Sequence, residues 1–123
     1  MVNRTATQTR VMSAGTLIGD DVVNPQGDNL GNIEEIMLDM NFGRVSYAVL
    51  SFGGFLGLGD KLFAIPWDAL TLDTQNERMV LNIDQETLKN AKGFDKDNWP
   101  QADDQDWLVS VYEYYDYSPY WLV

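Results

Sequence analysis

The amino-acid sequence predicts a single, mainly β domain, and three observations support this. Runs of β-branched and aromatic residues recur at short intervals, and clusters of Gly, Asn, Asp and Pro separate them. A chain of 123 residues buries roughly two thirds of the surface that it exposes when unfolded, which is enough for one core. Cysteine is absent, so this core has to form without disulfides or thiolate metal sites.

The predicted elements follow one another with short connections. Strands are expected at Asp21–Asn24, Arg44–Phe52, Lys61–Ile65, Leu70–Asp73 and Arg78–Ile83. Asp39–Gly43 and Asp73–Glu77 are typical of hairpin turns, and Gly43 suits a left-handed backbone conformation. Asp84 is expected to cap a short helix that ends near Asn90.

The segment between the first two strands has two interpretations. Ile33, Ile36, Met37 and Met40 recur with the spacing of an amphipathic helix. The same segment also fits a long strand whose alternation is broken by a bulge at Glu34-Glu35. Periodicity alone does not choose between them.

The strand Arg44–Phe52 is apolar on both of its faces. Strict alternation gives one face Val45, Tyr47 and Val49, and the other face Ala48, Leu50 and Phe52. Because a strand with two apolar faces is covered on both, another element must lie over the outside of the sheet.

Composition divides the chain into three segments. Residues 1–12 are polar and are expected to be disordered, whereas residues 13–93 hold every predicted strand. Residues 94–123 carry nine of the fifteen aromatic residues, and seven acids against one lysine. Within this tail, one helical stripe is polar, at Asp103, Asp106, Ser110 and Glu113. The opposite stripe is apolar and consists of Leu108, Val111, Tyr112 and Tyr115, widened by Trp107 and Tyr114.

Charge and residue usage argue against several classes of function. With a net charge of −11, the surface repels phosphate backbones, so nucleic-acid binding is not expected. Histidine and cysteine are both absent, which removes the usual bases, nucleophiles and metal ligands. Residues 1–10 lack the apolar run of a signal peptide, and no stretch reaches the ~20 apolar residues of a membrane span. We therefore expect a cytoplasmic protein without membrane insertion, catalytic residues, bound metal or cofactor.

Three sequence segments resemble the PRC-barrel family. The first runs from Leu17-Ile18-Gly19 through Gly27–Glu35 to Gly43-Arg44-Val45, and the second is Ser51–Trp67. The third, Gly93–Pro100, is similar to small bacterial stand-alone members. The resemblance covers about residues 13–90 and implies a small, highly bent antiparallel β-barrel of about six strands. It also implies that the ambiguous segment is a strand.

The family resemblance implies binding rather than catalysis. Members such as the photosynthetic reaction centre H subunit and a ribosome-maturation factor act as adaptors. The present sequence departs from both, because it has neither the membrane helix of the first nor the RNA-associated domain of the second. Their particular functions are therefore not carried over.

The glycine-rich segment Gly53–Asp60 does not fit a phosphate-binding loop. Gly59 is followed by Asp60, and Lys61 is followed by Leu62 rather than by Ser or Thr. One interpretation is a connection that closes the barrel. The other is a docking loop that presents Phe55, Leu56 and Leu58 to a partner.

Acidic residues give only weak signals for chemistry. The pairs Asp20-Asp21, Glu34-Glu35 and Asp103-Asp104 are typical of solvated charge. Asp39–Gly43 and Asp95–Asn98 carry fragments of calcium-loop spacing, but neither is followed by the glutamate at position twelve. No metal site is predicted.

The tail is the strongest functional signal in the sequence. Its candidate interface residues are Trp107, Val111, Tyr112, Tyr114, Tyr115, Tyr120 and Trp121. This aromatic face packs on its own barrel, on a second subunit or on another protein. We therefore expect a non-catalytic adaptor or assembly module that forms a homodimer or binds a protein partner. The alternatives are a ribosome- or RNA-maturation factor acting through a protein contact and a carboxylate-based hydrolase.

Overall fold

A computed structural model describes residues 9–53 and 61–122 of the chain. Six strands form one sheet: β1 Asp21–Val23, β2 Asn29–Asp39, β3 Arg44–Phe52, β4 Lys61–Pro66, β5 Leu70–Asp73 and β6 Arg78–Leu81. Three helices accompany it: α1 Ala14–Leu17, α2 Gln85–Lys89 and α3 Gln105–Tyr114. Two 3-10 turns, Trp67–Ala69 and Tyr120–Leu122, complete the described structure. The mainly β prediction is confirmed.

The strands lie in the order β4-β3-β2-β1-β6-β5 and curl into a half-barrel. Four of the five strand pairs are antiparallel, but β1 and β6 are parallel, which corrects the expectation of a wholly antiparallel barrel. The reason is the passage from β4 to β5. β4 and β5 lie at opposite edges of the sheet, so the connection between them crosses from one edge to the other instead of forming a hairpin. For this reason the strand directions do not alternate where β6 joins β1.

Two bulges set the register between β2 and β3. Ile33 pairs with Leu50 and Glu35 with Val49, so Glu34 is an extra residue and the ambiguous segment is a bulged strand. Further along, Met37 pairs with Tyr47 and Leu38 with Val45, which makes Ser46 an extra residue on β3.

The second bulge corrects the predicted faces of β3. Because Ser46 interrupts the alternation, Val45 lies on the same side as Ala48 and packs with the barrel interior. Strict alternation placed Val45 on the same face as Tyr47, and that prediction was wrong.

One face of all six strands surrounds a single interior cluster. Its buried members from the sheet are Val22, Leu30, Ile33, Ile36, Ala48, Leu50, Phe52, Phe63, Ile65, Met79 and Leu81, with partly buried Leu70 and Leu72 from β5. Leu88 of α2 and the nearby Ala91 close one side. The Asp84 carboxylate caps α2 by accepting from the Thr87 N–H at 2.7 Å, as predicted.

Candidate protein-binding site

A second, outer cluster lies on the opposite face of the sheet. Tyr47 and Val49 of β3 and Leu62 and Ala64 of β4 are buried there together with Val111 of α3. Trp107 packs its edge against Tyr47, with 5.5 Å between ring centroids, and Phe94 also contacts this cluster. The outer face of β3, which had to be covered, is therefore covered by residues 94–115 of the same chain.

Local sequence determines where α3 begins and ends. The Asp104 carboxylate accepts from the Trp107 N–H at 3.0 Å, and Asp106 stands in the first turn, where negative charge is favourable. After the helix, Asp116 adopts a left-handed conformation, with φ of 64°. The Tyr117 N–H then donates to the Tyr112 carbonyl at 2.9 Å, which turns the chain back toward the barrel.

Tyrosine hydroxyls attach the helix to the barrel backbone. Tyr112 is fully buried, and its hydroxyl donates to the carbonyl of Ser46 at 2.6 Å. Since Ser46 is the extra residue of a bulge, the ladder leaves it unpaired, and the hydroxyl supplies a hydrogen-bond partner. Burial raises the pKa of Tyr112 well above its ordinary value, so the hydroxyl remains a donor at neutral pH.

The predicted interface residues have different surroundings. Phe55, Leu56 and Leu58 lie outside the described residues. Val111 and Tyr112 are buried within the chain, whereas Trp107, Tyr115, Tyr120 and Trp121 are half-buried. Tyr114 is 43% exposed, and its hydroxyl donates to the Thr87 carbonyl at 2.6 Å. Most of these aromatic surfaces therefore contact their own barrel.

The most exposed apolar group near the tail is the β2–β3 hairpin, which sequence reasoning missed. Leu38 is 62% exposed, Met40 83% and Phe42 57%. The C-terminal turn adds Leu122, which is 70% exposed and lies two residues after Tyr120, a direct contact of Phe42. We call these four residues the hairpin tip. The available signal was Met40 and Phe42 themselves, because apolar residues are unusual in a tight turn.

Within the hairpin tip, the residues of the β2–β3 hairpin are held in place by contacts with Tyr120 of the C-terminal turn. Asp39 accepts from the N–H groups of Asn41 and Phe42, both at 3.0 Å. Its second carboxylate oxygen accepts from the Tyr120 hydroxyl at 2.5 Å. The guanidinium of Arg44 lies 4.0 Å from the centre of the Tyr120 ring.

These contacts also shift two pKa values. The Tyr120 hydroxyl, together with the N–H groups of the turn, lowers the pKa of Asp39. Burial and the adjacent Asp39 carboxylate raise the pKa of Tyr120. Both groups therefore keep the protonation states that their hydrogen bond requires at neutral pH.

Residues 10–88 match the PRC-barrel domain. The chain belongs to the PRC-barrel family. A comparison with curated proteins finds no match. The match ends at Leu88, so α3 and the C-terminal turn that supports the hairpin tip lie beyond the part of the chain that defines a PRC barrel.

Acidic side chains are distributed over the described part of this PRC barrel. Within residues 9–53 and 61–122, no three His, Cys, Asp or Glu side chains are grouped to hold a metal ion. The acidic pairs Glu34-Glu35 and Asp103-Asp104 are exposed, and Asp39 is occupied by its turn and by Tyr120. In the same residues, no helix combines the length and apolarity needed to cross a membrane.

Proposed function

We propose that this PRC-barrel protein is a non-catalytic adaptor or assembly module that binds a second copy of itself or another protein through the hairpin tip. The observation that carries the proposal is the exposure of Leu38, Met40, Phe42 and Leu122 on one end of the barrel. Single exposed apolar residues are ordinary on protein surfaces. Several exposed apolar residues on one rigid hairpin and on the turn packed against it are typical of a protein interface.

The rigidity of the tip supports the proposal. A binding surface that is already ordered loses less conformational entropy on association, so more of its contact energy appears as affinity. Hydrogen bonds of Asp39 fix the turn, and the edge contact between Phe42 and Tyr120, at 5.7 Å between centroids, fixes the Phe42 ring.

Electrostatics favour a protein partner over a nucleic acid. The net charge of −11 opposes phosphate contacts. Arg44 beside the tip is already paired with Asp68 at 3.2 Å, so it is poorly placed to neutralise a phosphate. The proposal also places the protein in the cytoplasm, where an acidic surface favours solubility; cell fractionation checks this.

The test removes apolar surface from the tip without touching its supports. In the double variant Leu38→Ser/Met40→Ser, both side chains are largely exposed, so folding should be little affected. The matched control is Val11→Ser/Met12→Ser, which removes a similar exposed pair far along the chain, at 94% and 40% exposure. Sedimentation equilibrium and thermal melts are measured for all three proteins, with affinity capture from a native lysate for heterologous partners.

We expect the tip variant to keep its melting temperature within about 3 °C and to lose association at least tenfold relative to the control. Equal association of the tip variant, the control variant and the parent protein, in both assays, would contradict the proposed function.

A further inference from the structure

Met40 is the most exposed methionine within residues 9–53 and 61–122. Its exposed fraction is 83%, against 40% for Met12 and 3% for Met79. Met37 is half-buried and packs against the outer cluster. Because a thioether is oxidised only where the oxidant can touch its sulfur, oxidation follows exposure. A dissolved oxidant therefore reaches the sulfur of Met40 more readily than that of any other methionine in these residues.

The turn keeps Met40 exposed without using its side chain. The carboxylate of Asp39 accepts from the N–H groups of Asn41 and Phe42, both at 3.0 Å. The Gly43 N–H donates to the Asp39 carbonyl at 2.8 Å. These hydrogen bonds fix the backbone on both sides of Met40. A chemical change in the Met40 side chain therefore leaves the bonds of the turn in place.

We propose that Met40 is an oxidation site at which a hydroperoxide reversibly weakens association through the hairpin tip. This inference rests on the proposed function and names a way in which the same surface is regulated. The Met40 side chain lies at the most exposed point of that surface, so one modified atom lies where a partner has to pack.

The chemistry is the transfer of one oxygen atom to sulfur. The sulfur lone pair attacks one oxygen of hydrogen peroxide, the S–O bond forms as the O–O bond breaks, and the departing hydroxide takes the remaining proton to become water. Sulfur loses two electrons and the peroxide gains them. A dithiol reverses the step: its two thiols become a disulfide, and the sulfoxide oxygen leaves as water. Methionine sulfoxide reductases catalyse this reversal, one enzyme for each sulfoxide epimer.

Oxidation changes Met40 alone among the members of the hairpin tip. Leu38, Phe42 and Leu122 carry hydrocarbon side chains, which hydrogen peroxide leaves intact. The sulfoxide replaces a soft apolar group by a strongly polar one. Within an apolar interface its oxygen would be buried without a hydrogen-bond donor, which disfavours the complex. Association in turn covers Met40, so the oxidant acts on the free protein and draws the equilibrium away from the complex.

The position of Met40 also separates regulation from damage. Met79 is a member of the interior cluster, so a sulfoxide there would disrupt packing and lower the melting temperature. Met40 is largely exposed, so its oxidation should leave the melting temperature unchanged. A loss of association at constant melting temperature is therefore the signature of modification at the tip.

The test compares the parent protein with three variants. Met40→Leu keeps an apolar side chain of similar volume and removes the oxidisable sulfur. Met12→Leu is the matched control, because it removes the other exposed thioether, outside the tip. Met40→Gln introduces a permanent polar group at the tip. Each protein is treated with a graded series of hydrogen peroxide, quenched with catalase, and mapped by fragmentation mass spectrometry. Association is then measured by sedimentation equilibrium, and by capture of any heterologous protein that the parent retains, alongside thermal melts.

We expect Met40 sulfoxide to accumulate at least about tenfold faster than Met79 sulfoxide, in keeping with their exposure. Oxidised parent and oxidised Met12→Leu should associate at least about fivefold more weakly than the untreated parent, because the apolar burial of one large side chain is lost. Untreated Met40→Gln should show a similar loss. Treated Met40→Leu should keep its association, and all melting temperatures should stay within about 3 °C. Reductase with dithiothreitol should restore the parent.

The other outcomes separate this inference from the proposed function. Unchanged association of a parent oxidised at Met40 would refute the inference, and the proposed function would stand if Leu38→Ser/Met40→Ser still loses association. An equal loss in treated Met40→Leu would refute it too, since another residue would then be responsible. Equal oxidation rates at Met40 and Met79 would contradict the exposure argument. If Leu38→Ser/Met40→Ser associates like the parent and like its own control, the proposed function fails and the inference fails with it.

Discussion

The two faces of the sheet are stabilised in different ways. Buried members of the interior cluster are aliphatic residues, Met79 and two phenylalanines, and they pack without directional contacts. The outer cluster combines aliphatic residues with Tyr47 and Trp107, and the neighbouring Tyr112 is tied to a backbone carbonyl. Apolar burial depends little on exact geometry, whereas hydroxyl and ring contacts depend strongly on it. The barrel is thus specified by its pattern of apolar residues, whereas the position of the tail is specified by a few directional contacts.

Substitutions are therefore expected to act at different kinds of position on the two faces. Inside the barrel, the sensitive positions are those where backbones approach too closely for a side chain. On the outer face, the sensitive positions are residues with a polar atom whose hydrogen bond has one buried partner. At the hairpin tip, a charged group with exposed partners should matter least.

The largest effect is expected from Gly31→Ala in β2. A Cβ atom at this position would stand 2.1 Å from the carbonyl oxygen of Ser51, far inside van der Waals contact with backbone that cannot move aside. Gly31 also has φ of 107°, which L-residues rarely adopt. We expect a loss of at least about 3 kcal/mol in the free energy of unfolding, or failure to fold. Urea denaturation followed by tryptophan fluorescence measures it.

Gly19→Ala is the matched control for this prediction. Gly19 has a similar φ of 96°, but nothing lies within 4 Å of its added Cβ. The control therefore shares the backbone strain, of about 1–2 kcal/mol, without the overlap. Equal losses in the two variants would show that close packing of β2 on β3 is not a determinant of the barrel.

The contrast between apolar pattern and directional contact also explains which parts of the fold the sequence could predict. Arg44–Phe52 was identified with its observed bounds, because β-branched and aromatic residues follow one another there. Glu34 was identified as a bulge only as one of two alternatives, since periodicity allowed a helix. The bulge at Ser46 left no signal in the residue types, so Val45 was assigned to the wrong face. A bulge depends on pairing between strands, which a single sequence does not show.

The tail illustrates the same limit at the candidate site. The apolar stripe of Val111 and Tyr112 predicted a buried helix face, but the choice of Ser46 as hydrogen-bond partner depends on the bulge. The hairpin tip was missed although Met40 and Phe42 stand in a predicted turn, where apolar residues are unusual. The exposure of Leu38 and Leu122 is different, because it depends on where the sheet and the C-terminal turn end, which their own residue types do not show.

A smaller but clear effect is expected from Tyr112→Phe. The variant keeps the buried ring and removes only the hydroxyl that donates to the Ser46 carbonyl. A buried acceptor without a partner costs about 1–3 kcal/mol, and we expect the free energy of unfolding to fall by that amount. Chemical denaturation with near-ultraviolet circular dichroism as the readout follows both unfolding and the aromatic environment.

Tyr114→Phe provides the comparison, because it removes a hydroxyl with the same 2.6 Å bond to a carbonyl, that of Thr87. Tyr114 is exposed, so water can replace the lost donor and the expected loss is below about 0.5 kcal/mol. Similar losses in Tyr112→Phe and Tyr114→Phe would mean that the tail is held by ring packing alone, and that the directional contacts assigned to the outer face contribute nothing specific.

The smallest effect is a pH dependence at the hairpin tip, tested with Asp39→Asn. The Tyr120 hydroxyl and the turn N–H groups lower the pKa of Asp39 in the folded protein below its unfolded value of about 3.9. Stability from the ionised carboxylate is therefore fully present above the unfolded pKa and is lost as the pH falls through the folded one.

The asparagine side chain of this variant retains an oxygen for the turn but no charge, so it resembles the protonated aspartic acid. The parent should be more stable than the variant at pH 6 by less than about 1 kcal/mol, since the carboxylate is partly exposed, and the difference should shrink toward pH 3. Asp73 and Asp84, whose pKa values are also lowered, are present in both proteins and cancel in the comparison. Thermal melts of the two proteins at pH 3, 4, 5 and 6 measure the difference. A gap that stays constant or widens toward acid would show that the ionised Asp39 does not hold Tyr120, and that the C-terminal turn supports the tip through the rings of Phe42 and Tyr120 alone.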